Sequence, residues 1–211
     1  MRALLALPIA ALLAIPTAAQ DRDPDNAVAG ATLPAGWSAR ADRGSMENVN
    51  FRGMGPGWHV TLGPALILWR DADRAEGAYT VTASMAQTVA PRHAEGYGMF
   101  IGGNDLNGAG QAYLYFLVRG DGTFLVKSRM GAETANLSEA GWTTNSAVHA
   151  ADTSGRASNQ LEVRVTAENV QFRVNGELVW SGTQPAARTN GHFGLRVNHN
   201  LDVHVGALAK S

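Results

Sequence analysis

The chain has 211 residues, 17 Lys and Arg against 18 Asp and Glu, a formal charge of −1, and no cysteine. The balance of charge leaves no basic excess to neutralise phosphates, which argues against a nucleic acid partner. Without cysteine there are no disulfides, no thiol catalysis and no cysteine-ligated zinc, so stability has to come from a packed core, which a chain of this length can build.

In chain order, residues 1–19 read as a secretory signal peptide: Arg2, an apolar run over 3–15, then Pro16, Thr17, Ala18 and Ala19. The run is interrupted by Pro8 and is shorter than the roughly 20 residues a spanning helix needs. The expectation is a secreted or periplasmic protein with no membrane insertion after signal cleavage. Residues 20–32, which include DRDPDN, are polar and acidic and read as a flexible leader. Residues 33–211 then read as a single β-sandwich domain.

Residues 36–57 carry isolated apolar anchors at Trp37, Met46, Val49 and Phe51, which predicts short edge strands and loops. WHVTL at 58–62 and ALILW at 65–69 read as strands on either side of a Gly63-Pro64 break, followed by a polar loop over 70–77 and a strand at 78–85. Residues 112–119 (AYLYFLVR) turn through Gly120, Asp121 and Gly122 into residues 123–129 (TFLVKSR), a clear hairpin. In LEVRVT at 161–166 and VQFRVN at 170–175 each second side chain is apolar, as a sheet with one buried face requires, and Asn175-Gly176 is a strong two-residue turn signal. A last strand pair, 192–198 and 201–205, places Phe193, Leu195, Val197, Leu201, Val203 and Val205 in the core phase. No stretch reads as a long helix. The pattern defines an all-β sandwich of two antiparallel sheets.

Four segments carry a family likeness: GWHVTLGP at 57–64, GYGMFIGG at 96–103, YFLVRGDG at 115–122 and GLRVNHNLDVHV at 194–205. Together they resemble the concanavalin A-like lectin/glucanase superfamily, and most closely its bacterial secreted 3-keto-disaccharide hydrolase (laminarin-domain-like) members, over roughly residues 55–205. The resemblance implies a concanavalin A-like jelly roll that often holds a glycan or another ligand on its concave face.

On the 112–129 hairpin, Leu114, Phe116, Val118, Phe124 and Val126 share one face. Tyr113, Tyr115, Leu117, Arg119, Leu125, Lys127 and Arg129 share the other. Two tyrosines beside three cations suit a saccharide groove, since aromatic rings stack on sugar faces and cations donate to hydroxyls or carboxylates. Tyr113, Tyr115, Arg119, Lys127 and Arg129 are therefore the candidate ligand-binding residues, with solvated edge cations over an inner aromatic layer as the alternative. The loop 103–110 offers Asn104, Asp105 and Asn107 as oxygen donors for calcium, but its single carboxylate is few for such a loop, and no cofactor is expected. His93, Glu95, Asp105 and His199 are the candidates for acid–base chemistry. His59, His192 and His204 lack the spacing of a helical zinc motif.

The paired-carboxylate strand of catalytic glucanases is absent, and Asp71 and Asp73, flanked by arginines, read as a solvated turn. The leading expectation is a lectin-like module for a saccharide or similar polar ligand. The alternatives are a glycoside hydrolase of the 3-keto-disaccharide type and a domain that meets an envelope protein partner.

Overall fold

The computed structural model describes residues 32–55 and 57–211; the segment read as a signal peptide, and all but the last residue of the segment read as a leader, lie outside them. The first sheet comprises β1 (Trp37–Ala41), β4 (Leu66–Ala75), β14 (Gly191–Val197), β6 (Gly96–Asn104), β7 (Ala112–Arg119), β8 (Thr123–Met130) and β10 (Thr143–Thr144) in that spatial order, with β9 (Glu133–Asn136) also on β8. The second runs β13 (Glu177–Gly182), β12 (Val170–Val174), β11 (Ala157–Val165), β5 (Tyr79–Gln87), β15 (Asp202–Lys210), β3 (Gly57–Leu62) and β2 (Val49–Met54). Every pairing is antiparallel. The only helix longer than a single 3-10 turn among the described residues is α1, Ala186–Thr189. No described helix is long and apolar enough to cross a membrane.

The alternation of the sequence becomes the inter-sheet core. Leu114, Phe116, Val118, Phe124 and Val126 of the first sheet meet Leu161, Val163, Phe172 and Val174 of the second, with the Phe116 and Phe172 rings 5.4 Å apart. The predicted hairpins form as read. Asn175 and Gly176 take φ of 51° and 88° in the β12–β13 turn, and Gly122 takes 81° after Asp121, whose carboxylate accepts from the Thr123 N–H and hydroxyl.

Two expectations are corrected. Residues 70–75 are not a loop but the continuation of β4, whose register against β14 shifts between Trp69 and Arg74. The extra residues form a bulge clamped by Arg70 Nε donating to Asp73 Oδ2 at 2.5 Å, with the Arg70 guanidinium 5.2 Å from the Trp37 ring. Asp71 and Asp73 thus sit on a strand and not on a solvated turn. Second, β14 and β15 do not pair with each other. All six expected core residues are buried, but the 198–201 turn carries the chain from one sheet to the other, so both strands aim the same phase into one core.

A second bulge interrupts β6 against β7 between Ile101 and Asn104. There Gly102 has φ +65°, and a Cβ on it would lie 1.9 Å from the Arg188 carbonyl of α1. Gly102→Ala is therefore expected to cost about 2–3 kcal/mol of stability through left-handed strain and displacement of α1, read as a lower urea midpoint. An unchanged midpoint would show that α1 does not rest on this backbone.

Candidate functional site

The outer face of the first sheet is also apolar, and the register shows why. One transverse row runs Ser38, Trp69, Gly194, Phe100, Tyr115, Lys127, Asn136, and the next runs Arg40, Ile67, Arg196, Gly98, Leu117, Leu125. Glycine at 194 is required because a Cβ would meet the Phe100 ring at 2.6 Å, so the ring lies across β14. Phe100, Tyr113 and Tyr115 then stack in series at 5.3 and 5.6 Å. Tyr113 and Tyr115 are only 2% and 6% exposed, so they form a base beneath a polar layer and not an open aromatic platform. Burial pushes the Tyr115 hydroxyl pKa up to about 12.

That polar layer is an ion-pair network. Asp42, just after β1, receives Arg196 through both guanidinium nitrogens at 2.7 and 2.6 Å, and Arg129 at 3.2 Å. Arg129 sits five strands from β1, about 24 Å across a flat sheet, so the contact requires this face to curve inward. The face is concave. Arg196 is 6% exposed; burial alone would lower its pKa, but pairing with Asp42 outweighs that and raises it. Burial likewise opposes ionisation of Asp42, yet the two arginines hold its pKa below the ordinary value. Arg40 crosses the same face and donates to the Leu106 and Gly108 carbonyls, pinning the 105–110 loop.

At one end of the concave face, where the bulges of β4 and β6 meet the start of β14, lies a pocket of about 260 Å³. Trp69, Asp71, Arg74, Asn104, Asp105, Asn107 and His192 line it, with Gly103 and Leu106. The Arg74 guanidinium lies 3.3 Å from both nitrogens of His192. The 104–107 side chains suggested for calcium serve the loop itself in part: Asn104 donates to the Gly102 and Asn190 carbonyls, and Asp105 accepts from the Gly110 N–H.

None of the five expected ligand-binding residues lines this pocket. Tyr113, Tyr115 and Arg129 lie in the central floor, with Lys127 opposite Tyr115 and half-buried. Arg119 stacks on Trp142 at 3.6 Å, toward the far end. Sequence reasoning missed Trp69, Asp71, Arg74 and His192; the signal was the outward phase of Ile67 and Trp69 in ALILWRD. Of the acid–base candidates, His93, Glu95 and His199 converge at the far end of β6, whereas Asp105 belongs to the pocket, the length of a nine-residue strand away, roughly 26 Å.

The outer face of the second sheet holds a separate hollow of about 290 Å³ lined by residues that include Arg52, His59, Thr61, Thr88, Arg156 and Asp202. Asp202 accepts from Thr61 at 2.7 Å and also contacts the Thr88 hydroxyl and His59 Nε2. Burial would raise its pKa, but these hydrogen bonds prevail and pull it down to about 2. A depressed carboxylate stabilises the fold above its unfolded pKa, and that contribution is lost as the pH falls from about 4 to about 2. Asp202→Asn is therefore expected to be less stable at pH 7 and to lose less over that acid interval, measured as urea midpoints at each pH. Parallel acid limbs for the two proteins would contradict this.

Fold and site together define a concanavalin A-like, galectin-like jelly roll with a bulge-lined pocket on its concave sheet. The chain is similar in structure to a carbohydrate binding module, CBM66, from Bacillus subtilis, with a TM-score of 0.61 and 9% identity over 83% of this chain and 95% of that one. It is similar also to a protein of unknown function with a galectin-like fold from Bacillus subtilis (TM-score 0.59, 10% identity, 82% and 88% covered). The carbohydrate recognition domain of Emp46p aligns with a TM-score of 0.56 at 8% identity, covering 83% of this chain and 87% of that one. No family model and no curated protein matches the sequence.

Proposed function

We propose that the protein is a secreted or periplasmic carbohydrate-binding module that seats an acidic saccharide unit in the pocket between Trp69 and the 103–107 loop. The observation that carries this reading is the pocket's composition: polar side chains and one cation ringed around a buried Trp69 floor, of a size suited to one sugar ring. Trp69, 2% exposed, closes the floor of the pocket as the tyrosines do further along the face, and Asp71, Asn107 and His192 offer partners for sugar hydroxyls. Among the described residues no carboxylate pairs with Arg74, which leaves this pocket cation for a ligand carboxylate.

The charge of the face supports an anion over a neutral sugar. The chain as a whole is slightly acidic, yet Arg40, Arg74, Lys127, Arg129 and Arg196 gather on the concave side against Asp42, Asp71 and Asp105. Two of the structural neighbours are carbohydrate-recognition proteins by name. The test is a glycan array probed with the full chain: retention of uronic-acid oligosaccharides above their neutral counterparts is expected, and retention of no glycan would overturn the reading.

A second reading, hydrolysis of the 3-keto-disaccharide kind, draws on Asp71 and Asp105 lining one pocket with His192. Release of free sugar from 3-keto-glycosides, lost in Asp71→Asn, would replace the binding module with an enzyme.

A further inference from the structure

At the end of the first sheet opposite the pocket, β6 begins where its antiparallel neighbour β14 ends, with Tyr97 opposite Val197. The Asn198 N–H donates to the Gly96 carbonyl at 2.8 Å and fixes this junction. The segment entering β6 carries His93 and Glu95, and the turn leaving β14 carries His199, so residues about a hundred positions apart meet in space. His93 Nε2 and His199 Nε2 lie 3.2 Å apart, and Glu95 Oε1 lies 3.3 and 3.2 Å from them.

We infer that His93, Glu95 and His199 form a divalent metal site of the zinc class, with three protein ligands and one open position. The three donor atoms make a nearly equilateral triangle. A tetrahedral ion with bonds of about 2.0–2.1 Å holds its ligand atoms about 3.3–3.4 Å apart, and the observed edges match that spacing. Hydrogen bonding alone accounts for it poorly, because a neutral imidazole Nε2 carries at most one proton and serves one edge, leaving no reason for all three edges to be equal.

The surroundings fit the same assignment. Glu95 is 7% exposed, and its other oxygen, Oε2, accepts from Asn198 Nδ2 at 3.1 Å, which orients the carboxylate and leaves Oε1 for the ion. The His93 and His199 side chains are 55% and 46% exposed, so the fourth corner opens to water or to a ligand oxygen. Two imidazole nitrogens and one carboxylate select zinc or a similar transition metal over calcium or magnesium, which take all-oxygen shells. The site departs from the expectation of a cofactor-free protein and lies away from the 104–107 loop first considered for calcium. It does not depend on the saccharide reading.

The test is titration of the untagged full chain with Co²⁺, followed by Zn²⁺. The expected result is one Co²⁺ per chain with the intense visible bands of a four-coordinate ion, displaced by one equivalent of Zn²⁺. The His93→Ala/His199→Ala double variant should lose both signals with an unchanged circular dichroism spectrum, since both rings are exposed. Asn198→Ala, which removes only the group that orients Glu95, should weaken Zn²⁺ binding about 10–100-fold. No stoichiometric uptake, or equal uptake by the double variant, would overturn the assignment.

Discussion

Asp42→Ala is expected to lower the free energy of unfolding by about 3 kcal/mol, a drop of roughly 6–12 °C in Tm for a domain of this size. The loss exceeds that of a surface ion pair because Arg196 is 6% exposed and Asp42 supplies both of its charge-assisted hydrogen bonds. Removing the carboxylate leaves a buried guanidinium over the Tyr115 ring, 5.6 Å away, with Arg129 nearby and also deprived of its partner. Asp42→Ala/Arg196→Met should recover most of the loss, since an apolar pair of similar volume costs less than one unpaired buried charge. Urea unfolding of the three proteins decides it. A single-variant cost under about 1 kcal/mol would mean that water reaches Arg196 and that the concave face is more open than its geometry indicates. Asp42 has a depressed pKa, so its contribution should be complete at neutral pH and fade as the pH drops below about 4.

The largest functional effect is expected at Arg74. Replacing it with alanine should weaken binding of an oligouronide about thirtyfold, the equivalent of about 2 kcal/mol for one charge-assisted hydrogen bond. Affinity for the carboxyl-reduced, neutral oligosaccharide should change far less, because Trp69, Asp71 and Asn107 remain. The Arg74 side chain is exposed, so the variant should keep the stability of the parent. Calorimetric titration of both sugars against both proteins separates the outcomes. An equal loss for the acidic and neutral sugars would place Arg74 in general packing and remove the anion preference from the proposal.

The strands were legible where alternation was strict. The 112–129 hairpin, the Asn175-Gly176 turn and the inward phases of residues 193–205 follow from period-two patterning, and the core confirms them. The run RDADRA was not legible as strand, because its charges are accommodated by a bulge that only the Arg70–Asp73 clamp and the pairing with β14 reveal. Periodicity was equally silent on sheet membership: β14 and β15 face one core from opposite sheets, and the pattern is the same either way. The site depended on contacts at a distance. Asp42 and Arg196 are 154 positions apart, and nothing in either segment names the other. His93, Glu95 and His199 did stand out as candidates for acid–base chemistry. Their convergence follows from the adjacency of β6 and β14, which sequence order does not state.

Backbone amide shifts of the full chain, followed by NMR during titration with an oligouronide, test the concave pocket most directly. Saturable changes confined to residues 103–107 and 191–194 and to the Trp69 indole N–H are expected, with the hollow around His59, Thr61 and Asp202 unmoved. Changes centred on that second hollow, or none at any concentration, would contradict a saccharide site on the concave sheet.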